Sequence, residues 1–226
     1  MATVVITGCD YGIGYEFARA YAVDGWRVHA VCLQASSQAR LGGVGDTHVH
    51  RLDVTDEAGV QALAQRLSDE PVDVLINNAA TFARGQGGLF DLPTTEDFLR
   101  VLHVNAVAPL LVARAFAPHV AKGEHKVMAF LSTRSASIDD NTSGGHYDYR
   151  MSKTALNMAV KGIACDLAAQ GVMSVALHPG SVATETRKGA PVKVADSVAG
   201  MRAVIEAMTP AMSGTFQRYD GGTIPW

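Results

Sequence analysis

Short apolar runs alternate with longer mixed segments along almost the whole chain. The runs are rich in β-branched residues, which favours strands, and they occur at Thr3–Thr7, Arg27–Cys32, Thr47–Leu52, Val72–Ile76, His125–Leu131 and Val172–Leu177. Helical patterns lie between most of them, the first at Tyr15–Val23, and a final short strand is expected near Gly214–Tyr219. This alternation predicts an α/β fold with a doubly wound parallel sheet, in a single domain spanning residues 1–226.

The first apolar run leads directly into a glycine-rich turn. Thr3–Thr7 is followed by Gly8-Cys9-Asp10-Tyr11-Gly12-Ile13-Gly14 and then by the first predicted helix. Glycines let a backbone approach a pyrophosphate, and a helix N-terminus offers unpaired N–H groups to it. The order of strand, glycine turn and helix therefore predicts a dinucleotide site, although the spacing differs from the Gly-x-Gly-x-x-Gly fingerprint.

A tyrosine and a lysine lie four residues apart in the second half of the chain. In a helix this spacing places Tyr149 and Lys153 on one face. A positive charge beside a phenol lowers the pKa of the phenol, so the pair has the composition of an acid–base catalyst and its tuning group. Taken alone, the same pattern is typical of a solvated helix face with one long lysine.

Four motifs in a fixed order give that pair its context. They are Thr7-Gly8-x-x-x-Gly12-Ile13-Gly14, Asn77-Asn78-Ala79-Ala80, Asn105 and Tyr149-x-x-x-Lys153. Together they resemble the short-chain dehydrogenase/reductase family along the whole chain, which implies a Rossmann fold. The segments Asp139–Gly145, His178-Pro179-Gly180 and Tyr219–Trp226 resemble the C-factor and sniffer-type carbonyl reductase branch.

The resemblance implies the roles of the catalytic residues. Tyr149 would donate a proton to a substrate carbonyl oxygen while nicotinamide passes hydride to its carbon. Lys153 would lower the pKa of the tyrosine and bind the nicotinamide ribose. Asn105 would hold a water in a proton relay to that lysine, although a polar residue in an apolar stretch needs a hydrogen-bond partner in any case.

The substrate-orienting serine of the family is replaced in this chain. The usual Ser-Ser pair after the fifth strand reads Ser132-Thr133, so the resemblance assigns the orienting role to Thr133. Its hydroxyl is retained, but its side chain is stiffer and carries an extra methyl group. Ser132 or Ser135 could take over the role, or activity could be reduced.

The resemblance also implies a set of cofactor contacts. Asp53 would accept a hydrogen bond from the adenine amino group, although it could equally belong to a helix N-cap cluster with Thr55 and Asp56. We expect Asp53 to contact the cofactor and one of the other two to cap the helix. The implied cofactor contacts are Gly8, Asp10, Tyr11, Gly12, Ile13, Gly14, Leu33, Asp53, Val54, Asn78, Ala79, Tyr149, Lys153, Pro179, Gly180, Val182 and Thr184.

The choice between NADP and NAD is only weakly indicated. An acidic residue at the end of the second strand would bind the ribose of NAD, and a basic residue after it would bind the 2′-phosphate of NADP. Those positions are Cys32 and Leu33, so neither rule applies. Because Cys32 is small and donors follow at Ser36, Ser37 and Arg40, we expect a slight preference for NADP.

Composition excludes several kinds of partner. With 48% hydrophobic residues, 18% charged residues and a net charge of −3, the chain has no basic surface for nucleic acid or anionic membranes. The first strand begins at once, without a signal peptide, and the most apolar stretch, Val104–Ala117, is too short to span a bilayer. Three widely spaced cysteines predict free thiols and no metal site. We therefore expect a soluble cytoplasmic protein.

Two helices carry more apolar residues than one buried face requires. The helix beginning near Thr94 and the helix containing Tyr149 are apolar on more than one face. Relatives in this family commonly pair these two helices across a two-fold axis, so we expect a homodimer or homotetramer.

These features predict an NAD(P)-dependent oxidoreductase that acts on a small or aromatic carbonyl compound or secondary alcohol. The alternative is a regulator that binds NAD(P)H without turnover. The departures at Tyr11, Leu33 and Thr133 motivate the alternative, and the intact Tyr149, Lys153 and Asn105 argue against it.

Overall fold

The computed structural model describes residues 1–83, 88–185 and 188–226. Within these ranges, a central sheet of parallel strands carries helices on both faces, which confirms the predicted doubly wound fold. The strands of the sheet are β1 (Thr3–Thr7), β2 (Arg27–Cys32), β3 (Asp46–Arg51), β4 (Val74–Asn77), β5 (Val127–Leu131), β6 (Met173–His178) and β9 (Thr215–Arg218). A separate short pair consists of β7 (Val182–Ala183) and β8 (Val192–Lys193).

The helices connect these strands in the expected alternation. They are α1 (Gly12–Val23), α2 (Ser37–Leu41), α3 (Glu57–Arg66), α4 (Thr95–Leu102), α5 (Ala108–Lys122), α6 (Tyr147–Asp166) and α7 (Val194–Glu206). A π-helical turn at His103–Val107 joins α4 to α5. A π-turn inserts one extra residue into a helix, and such turns are frequent at functional sites.

The order of the strands determines where a ligand can bind. Across the sheet the order is β3-β2-β1-β4-β5-β6-β9. Strands are therefore added on one side of β1 up to β3 and on its other side from β4 onward, so the strand order reverses between β1 and β4. The loops after these two strands leave in opposite directions and open a crevice at their carboxyl ends. The glycine turn follows β1 directly, which places it at this crevice.

Two apolar layers enclose the sheet. On one side Phe17 of α1 and Met201 of α7 are fully buried, and on the other Phe116 of α5 and Leu156 of α6 are 1% exposed. Strands β1, β4 and β5 are buried along their whole length, whereas β3, at the edge, is only half-buried. Burial on both faces explains why the central strands are continuous apolar runs in the sequence.

The predicted strands agree with the observed ones to within about two residues at each end, the usual uncertainty of such boundaries. The first helix begins at Gly12 rather than Tyr15, so the last residues of the glycine motif form its first turn. The π-turn and the β7–β8 pair were not predicted. Both depend on tertiary contacts, which a local pattern does not contain.

The helical run Thr95–Lys122 is long and apolar enough, by length and composition alone, to cross a membrane. Half of its most apolar window is buried inside the protein. Its central residues, including Val112 and Phe116, pack against the sheet as part of the core. Packing in the core accounts for the apolar character of this part of the run.

Candidate active site

A cleft of about 430 Å³ lies at the predicted crevice. It brings the glycine turn together with Tyr149 and Lys153, which are more than a hundred residues away in the chain. The lining residues are Gly8, Asp10, Tyr11, Gly12, Ile13, Gly14, Val31, Leu33, Gln34, Leu52, Asp53, Val54, Asn78, Ala79, Ala80, Thr81, Val104, Leu131, Ser132, Tyr149, Lys153, Pro179 and Thr184.

The N-terminus of α1 is open toward this cleft. Tyr11 occupies the N-cap position, and its side chain makes no capping hydrogen bond to the first turn. Gly12 has a φ of +60°, a left-handed conformation that glycine adopts without strain. The first backbone N–H groups of α1 therefore remain available to an anionic group in the cleft.

Close packing requires glycine at another position of the same turn. A Cβ atom on Gly14 would lie 2.2 Å from the carbonyl oxygen of Gly8 and 2.4 Å from Nδ2 of Asn78. That amide nitrogen donates hydrogen bonds to the backbone oxygens of Thr7 (3.0 Å) and Gly8 (2.9 Å). The result is a cradle with an exposed backbone and no side chain in the way, which fits the pyrophosphate of a dinucleotide.

Asp10 lines the cleft, but its carboxylate forms hydrogen bonds within the protein. It accepts hydrogen bonds from Leu33 N (2.9 Å), Gln34 N (2.9 Å) and Ser37 Oγ (2.7 Å). Asp10 thus fixes the loop between β2 and α2. Because the single hydroxyl proton of Ser37 is used here, the expectation that Ser37 supplies a donor to the cofactor is wrong.

The other positions expected to select the cofactor differ in accessibility. Cys32 is 1% exposed and packs in the core beside α1, so its small size does not make room in the cleft as expected from the sequence. Leu33 is 58% exposed and lines the cleft. Arg40 donates to the carbonyl oxygen of Asp10 (2.8 Å), and its guanidinium lies 4.7 Å from the centre of the Tyr15 ring.

In the acidic cluster after β3, the cap of the following helix is separate from the residue at the cleft. Asp56 is the N-cap of α3 and accepts a hydrogen bond from Gly59 N (3.0 Å). Asp53 lines the cleft, and its Oδ1 accepts hydrogen bonds from the backbone N–H (2.9 Å) and hydroxyl (2.7 Å) of Thr55. The capping role falls to Asp56, so Asp53 is positioned at the cleft instead.

Tyr149 and Lys153 both belong to α6 and face the same cleft. Tyr149 is half-buried, whereas Lys153 is 2% exposed and donates from Nζ to the carbonyl oxygen of Leu131 at 2.7 Å. Burial lowers the pKa of Lys153 from 10.5 to about 7. The lysine is therefore not the permanently charged group that its side chain suggests, and its charge changes near neutral pH.

Asn105 lies in the π-turn and is fully buried. Its Nδ2 donates to Thr81 O (2.7 Å) and Ser152 Oγ (3.0 Å), and its Oδ1 accepts from Thr81 N (2.8 Å). The side chain braces the loop after β4 against α6.

The two hydroxyls at the end of β5 have different surroundings. Ser132 lines the cleft, but its hydroxyl donates to Oδ1 of Asn157 at 2.7 Å. Thr133 is half-buried and is not among the described lining residues. Its Oγ1 accepts a hydrogen bond from Ser135 N at 3.3 Å, a contact that leaves the hydroxyl proton of Thr133 as a donor.

The segment after β6 contributes fewer cleft residues than expected. Pro179 and Thr184 line the cleft, whereas Gly180 and Val182 are not among the described lining residues. Gly180 has a φ of +83°, and a Cβ there would lie 2.8 Å from the Tyr219 ring. Val182 is 5% exposed and pairs with Val192 in the β7–β8 ladder. These two residues shape the segment that carries Thr184.

Several lining residues were not predicted from the sequence. Most lie within two residues of a predicted position: Val31, Gln34, Leu52, Ala80, Thr81 and Leu131 at or after strand ends, and Val104 in the π-turn. For the six near strand ends, position at the carboxyl edge of the sheet was the available signal, but their residue types, mostly apolar or small, did not indicate a ligand contact.

Comparisons with known proteins agree with this geometry. A family model for short chain dehydrogenase matches residues 2–194. The chain is 40% identical over 171 residues to C-signal of Myxococcus xanthus, covering 74% of this chain and 100% of that protein. It is 34% identical over 233 residues to 1-hydroxy-2-glutathionyl-2-methyl-3-butene dehydrogenase of Rhodococcus sp. (strain AD45), covering 100% of each.

Solved structures with the same fold include two carbonyl reductases. Carbonyl reductase Sniffer of D. melanogaster has a TM-score of 0.91 at 28% identity, covering 100% of each chain. An NADPH-bound carbonyl reductase from chicken fatty liver has a TM-score of 0.89 at 29% identity, covering 100% of this chain and 99% of that one. The chain belongs to the short-chain dehydrogenase/reductase family of oxidoreductases, in a branch of the Sniffer type.

Proposed function

We propose that this oxidoreductase interconverts a small or aromatic carbonyl compound and its alcohol, with Tyr149 as the general acid and base. One observation carries the proposal: Tyr149 and Lys153 line the same cleft as the open N-terminus of α1. A nucleotide held at the glycine turn and a substrate beside the tyrosine would then share one site. A nicotinamide cofactor, when bound, supplies or accepts the hydride.

The side chains of the cleft perform the remaining steps. In reduction, the phenol of Tyr149 donates its proton to the substrate oxygen, and in oxidation the phenolate removes it. Lys153 lies one helical turn further along α6 and, in its charged form, favours the phenolate. Two residues outside the described lining assist: the Thr133 hydroxyl, one residue after Ser132, orients the substrate oxygen, and Asn105 keeps the loop after β4 in place through Thr81.

The substrate class rests on the relatives. Two structures with the same fold are carbonyl reductases, and a relative that aligns along the whole chain is a dehydrogenase of a hydroxy compound. The apolar side chains of Val104 and Leu131 in the cleft suit a small or aromatic group beside the reacting carbon.

The proposal is tested by binding followed by turnover. The protein is titrated with NADH and with NADPH, with cofactor fluorescence as the readout, and the tighter cofactor is then used with a panel of aliphatic and aromatic ketones and aldehydes. We expect binding of at least one cofactor and its oxidation by members of the panel. Binding with no turnover on any carbonyl or alcohol would favour the regulator.

For the choice of cofactor we expect a slight preference for NADPH and weak discrimination overall. The Asp10 carboxylate beside Leu33 already accepts three hydrogen bonds from the following loop, and Arg40 donates to the carbonyl oxygen of Asp10. Leu33→Arg should improve NADPH binding by about 1–3 kcal/mol, the scale of a charge-assisted hydrogen bond, while Leu33→Gln serves as the uncharged control. A thousandfold preference of the wild type for NADH would contradict this reading.

Thr133→Ser is expected to retain or raise activity, and Thr133→Ala to lower kcat/KM by about ten- to a hundredfold. The hydroxyl proton is the useful group, and the methyl group only occupies space. Steady-state kinetics of both variants beside Ser135→Ala decide the point. If Thr133→Ala matched the wild type and Ser135→Ala did not, Ser135 would be the orienting residue.

We expect a dimer at least in solution. Val107 of the π-turn and Leu110 of α5 are each 42% exposed, and Met158 of α6, which packs against both elements, is 73% exposed. Light scattering should give at least twice the 23.8 kDa chain mass, and Met158→Asp should shift it toward the monomer. Val23→Asp, at an exposed apolar position on α1, is the control, and a wild-type monomer at micromolar concentration would refute the prediction.

We also infer that the protein is cytoplasmic. Cys9, Cys32 and Cys165 are free thiols, a state that reducing compartments maintain. Fractionation of cells that produce the protein would test this, and recovery with membranes would argue against it.

A further inference from the structure

The residues on either side of Tyr149 hold two different loops. Oδ2 of Asp148 accepts a hydrogen bond from the backbone N–H of Ala83 at 3.0 Å. Nη1 of Arg150 donates to Ser135 O (3.2 Å) and to Asn141 Oδ1 (3.0 Å), and its Nη2 donates to Ser143 Oγ (2.8 Å). Asp148 and Arg150 are not among the described lining residues of the cleft. Both side chains act on the protein around it.

The two loops lie on different sides of Tyr149. Ala83 follows Ala80 and Thr81, which line the cleft after β4. The loop held by Arg150 runs from Thr133, at the end of β5, to the start of α6. Neighbouring residues of a helix project about 100° apart, so Asp148 and Arg150 reach in different directions while Tyr149 lies between them.

Both attachments constrain the loops strongly. Asp148 is 7% exposed, and a buried carboxylate needs the hydrogen bond that it accepts. The loop enters α6 through Gly144, Gly145 and His146, which have φ values of +61°, +69° and +48°. A left-handed histidine persists only where its surroundings hold it, and the Arg150 guanidinium supports this entry through Ser143.

We propose that Asp148 and Arg150 are positioning residues that fix the two walls of the substrate space relative to the Tyr149 hydroxyl. They thereby determine which carbonyl compounds reach the tyrosine in a reactive geometry. This inference rests on the proposed carbonyl reductase function, because it assigns the selection of substrate to the two residues next to the general acid Tyr149.

The attachments themselves are tested without turnover, by amide hydrogen exchange of the cofactor-free protein read by mass spectrometry. In Arg150→Met, residues 134–145 should exchange about tenfold faster or more, while residues 79–83 stay as in the wild type. Asp148→Ala should give the reverse pattern. Arg66→Met, at an exposed position on α3, is the matched control and should change neither segment.

Kinetics then test the link to selectivity. Arg150→Met should raise the KM for the best carbonyl substrate by about tenfold or more and change the ranking of small and bulky substrates, because small displacements from reactive geometry are costly. The cofactor Kd should stay within about twofold of the wild type. Arg150→Lys, which keeps the charge and part of the hydrogen bonding, should be intermediate and serves if Arg150→Met does not fold.

Two results would overturn the proposal. One is unchanged exchange of residues 134–145 in both Arg150 variants, and the other is faster exchange with an unchanged KM and substrate ranking. A wild-type protein without any carbonyl turnover would instead defeat the proposed function. The exchange experiment would still report whether the two side chains hold their loops.

Discussion

Tyr149→Phe is expected to lower kcat for carbonyl reduction by on the order of 10²- to 10⁴-fold, the usual contribution of a general acid. The substitution removes one oxygen from a half-buried ring and leaves the glycine turn and the N-terminus of α1 unchanged. The Kd of the cofactor should therefore stay within about twofold of the wild type. The measurements are single-turnover rates and a fluorescence titration with the better cofactor.

Tyr147→Phe is the matched control for this experiment. It removes the same hydroxyl from a half-buried tyrosine in the first turn of α6, two positions before Tyr149. This variant should retain wild-type turnover. If Tyr149→Phe itself turned over at nearly the wild-type rate, another group would have to be the proton donor and the proposed mechanism would be wrong.

Lys153→Met should lower activity by a similar factor and also weaken cofactor binding, while making the cofactor-free protein more stable at acidic pH. The methionine keeps an apolar stem of similar length but removes the ammonium that favours the phenolate. It also removes a buried charge that donates a 2.7 Å hydrogen bond to Leu131 O.

The pH dependence of that stability change follows from the depressed pKa. The pKa of Lys153 is about 7 in the folded protein and 10.5 in the unfolded chain, so the unfolded chain binds more protons between these two pH values. The contribution of Lys153 to stability therefore rises with pH from 7 to 10.5 and is least favourable below 7. One pKa unit corresponds to about 1.4 kcal/mol, so burying the charged lysine costs a few kcal/mol of stability below pH 7. Lys153→Met removes this cost but also loses the hydrogen bond to Leu131 O, which is worth about 1 kcal/mol.

Denaturant unfolding of the cofactor-free protein at pH 6 and at pH 9 measures this effect. The advantage of Lys153→Met over the wild type should be larger at pH 6. Lys161→Met, at an exposed position on the same helix, should show no such difference between the two pH values. An equal advantage of Lys153→Met at the two pH values would mean that Lys153 stays charged in the fold and that burial does not lower its pKa.

Both predictions concern residues that the sequence places correctly, because the pattern that identifies them is local. A spacing of four residues is one helical turn wherever the helix lies, so Tyr149 and Lys153 necessarily share a face. Likewise, an apolar run followed by a glycine turn and a helix determines the unit β1–α1 through backbone conformation and periodicity. The parallel sheet and its ligand-binding edge follow from the repetition of such units.

The direction of a side chain in a central strand is a different matter. Cys32 ends a strand that is buried on both faces, so alternation of apolar and polar residues cannot indicate which face each side chain joins. Only the packed structure turns Cys32 into the core beside α1 and leaves Leu33 at the cleft. The expectation that a small Cys32 makes room for a phosphate fails for this reason.

From the sequence, several polar side chains near the cleft are expected to bind a ligand. In the structure, some of them form hydrogen bonds to other parts of the protein instead. The carboxylate of Asp10 binds the loop at Leu33 and the amide of Asn105 binds Thr81, each across more than twenty residues of chain. Hydrogen-bond partners at such separations are decided by how the elements pack, and the residue types alone do not reveal them.

The sequence by itself therefore determined the fold, the place of the glycine turn and the pairing of Tyr149 with Lys153, since these depend on backbone conformation and helical or strand period. The tertiary structure alone decided the burial that lowers the pKa of Lys153 and the attachment of two loops by Asp148 and Arg150. Desolvation and hydrogen bonding depend on every atom within a few ångströms, and those atoms come from distant parts of the chain.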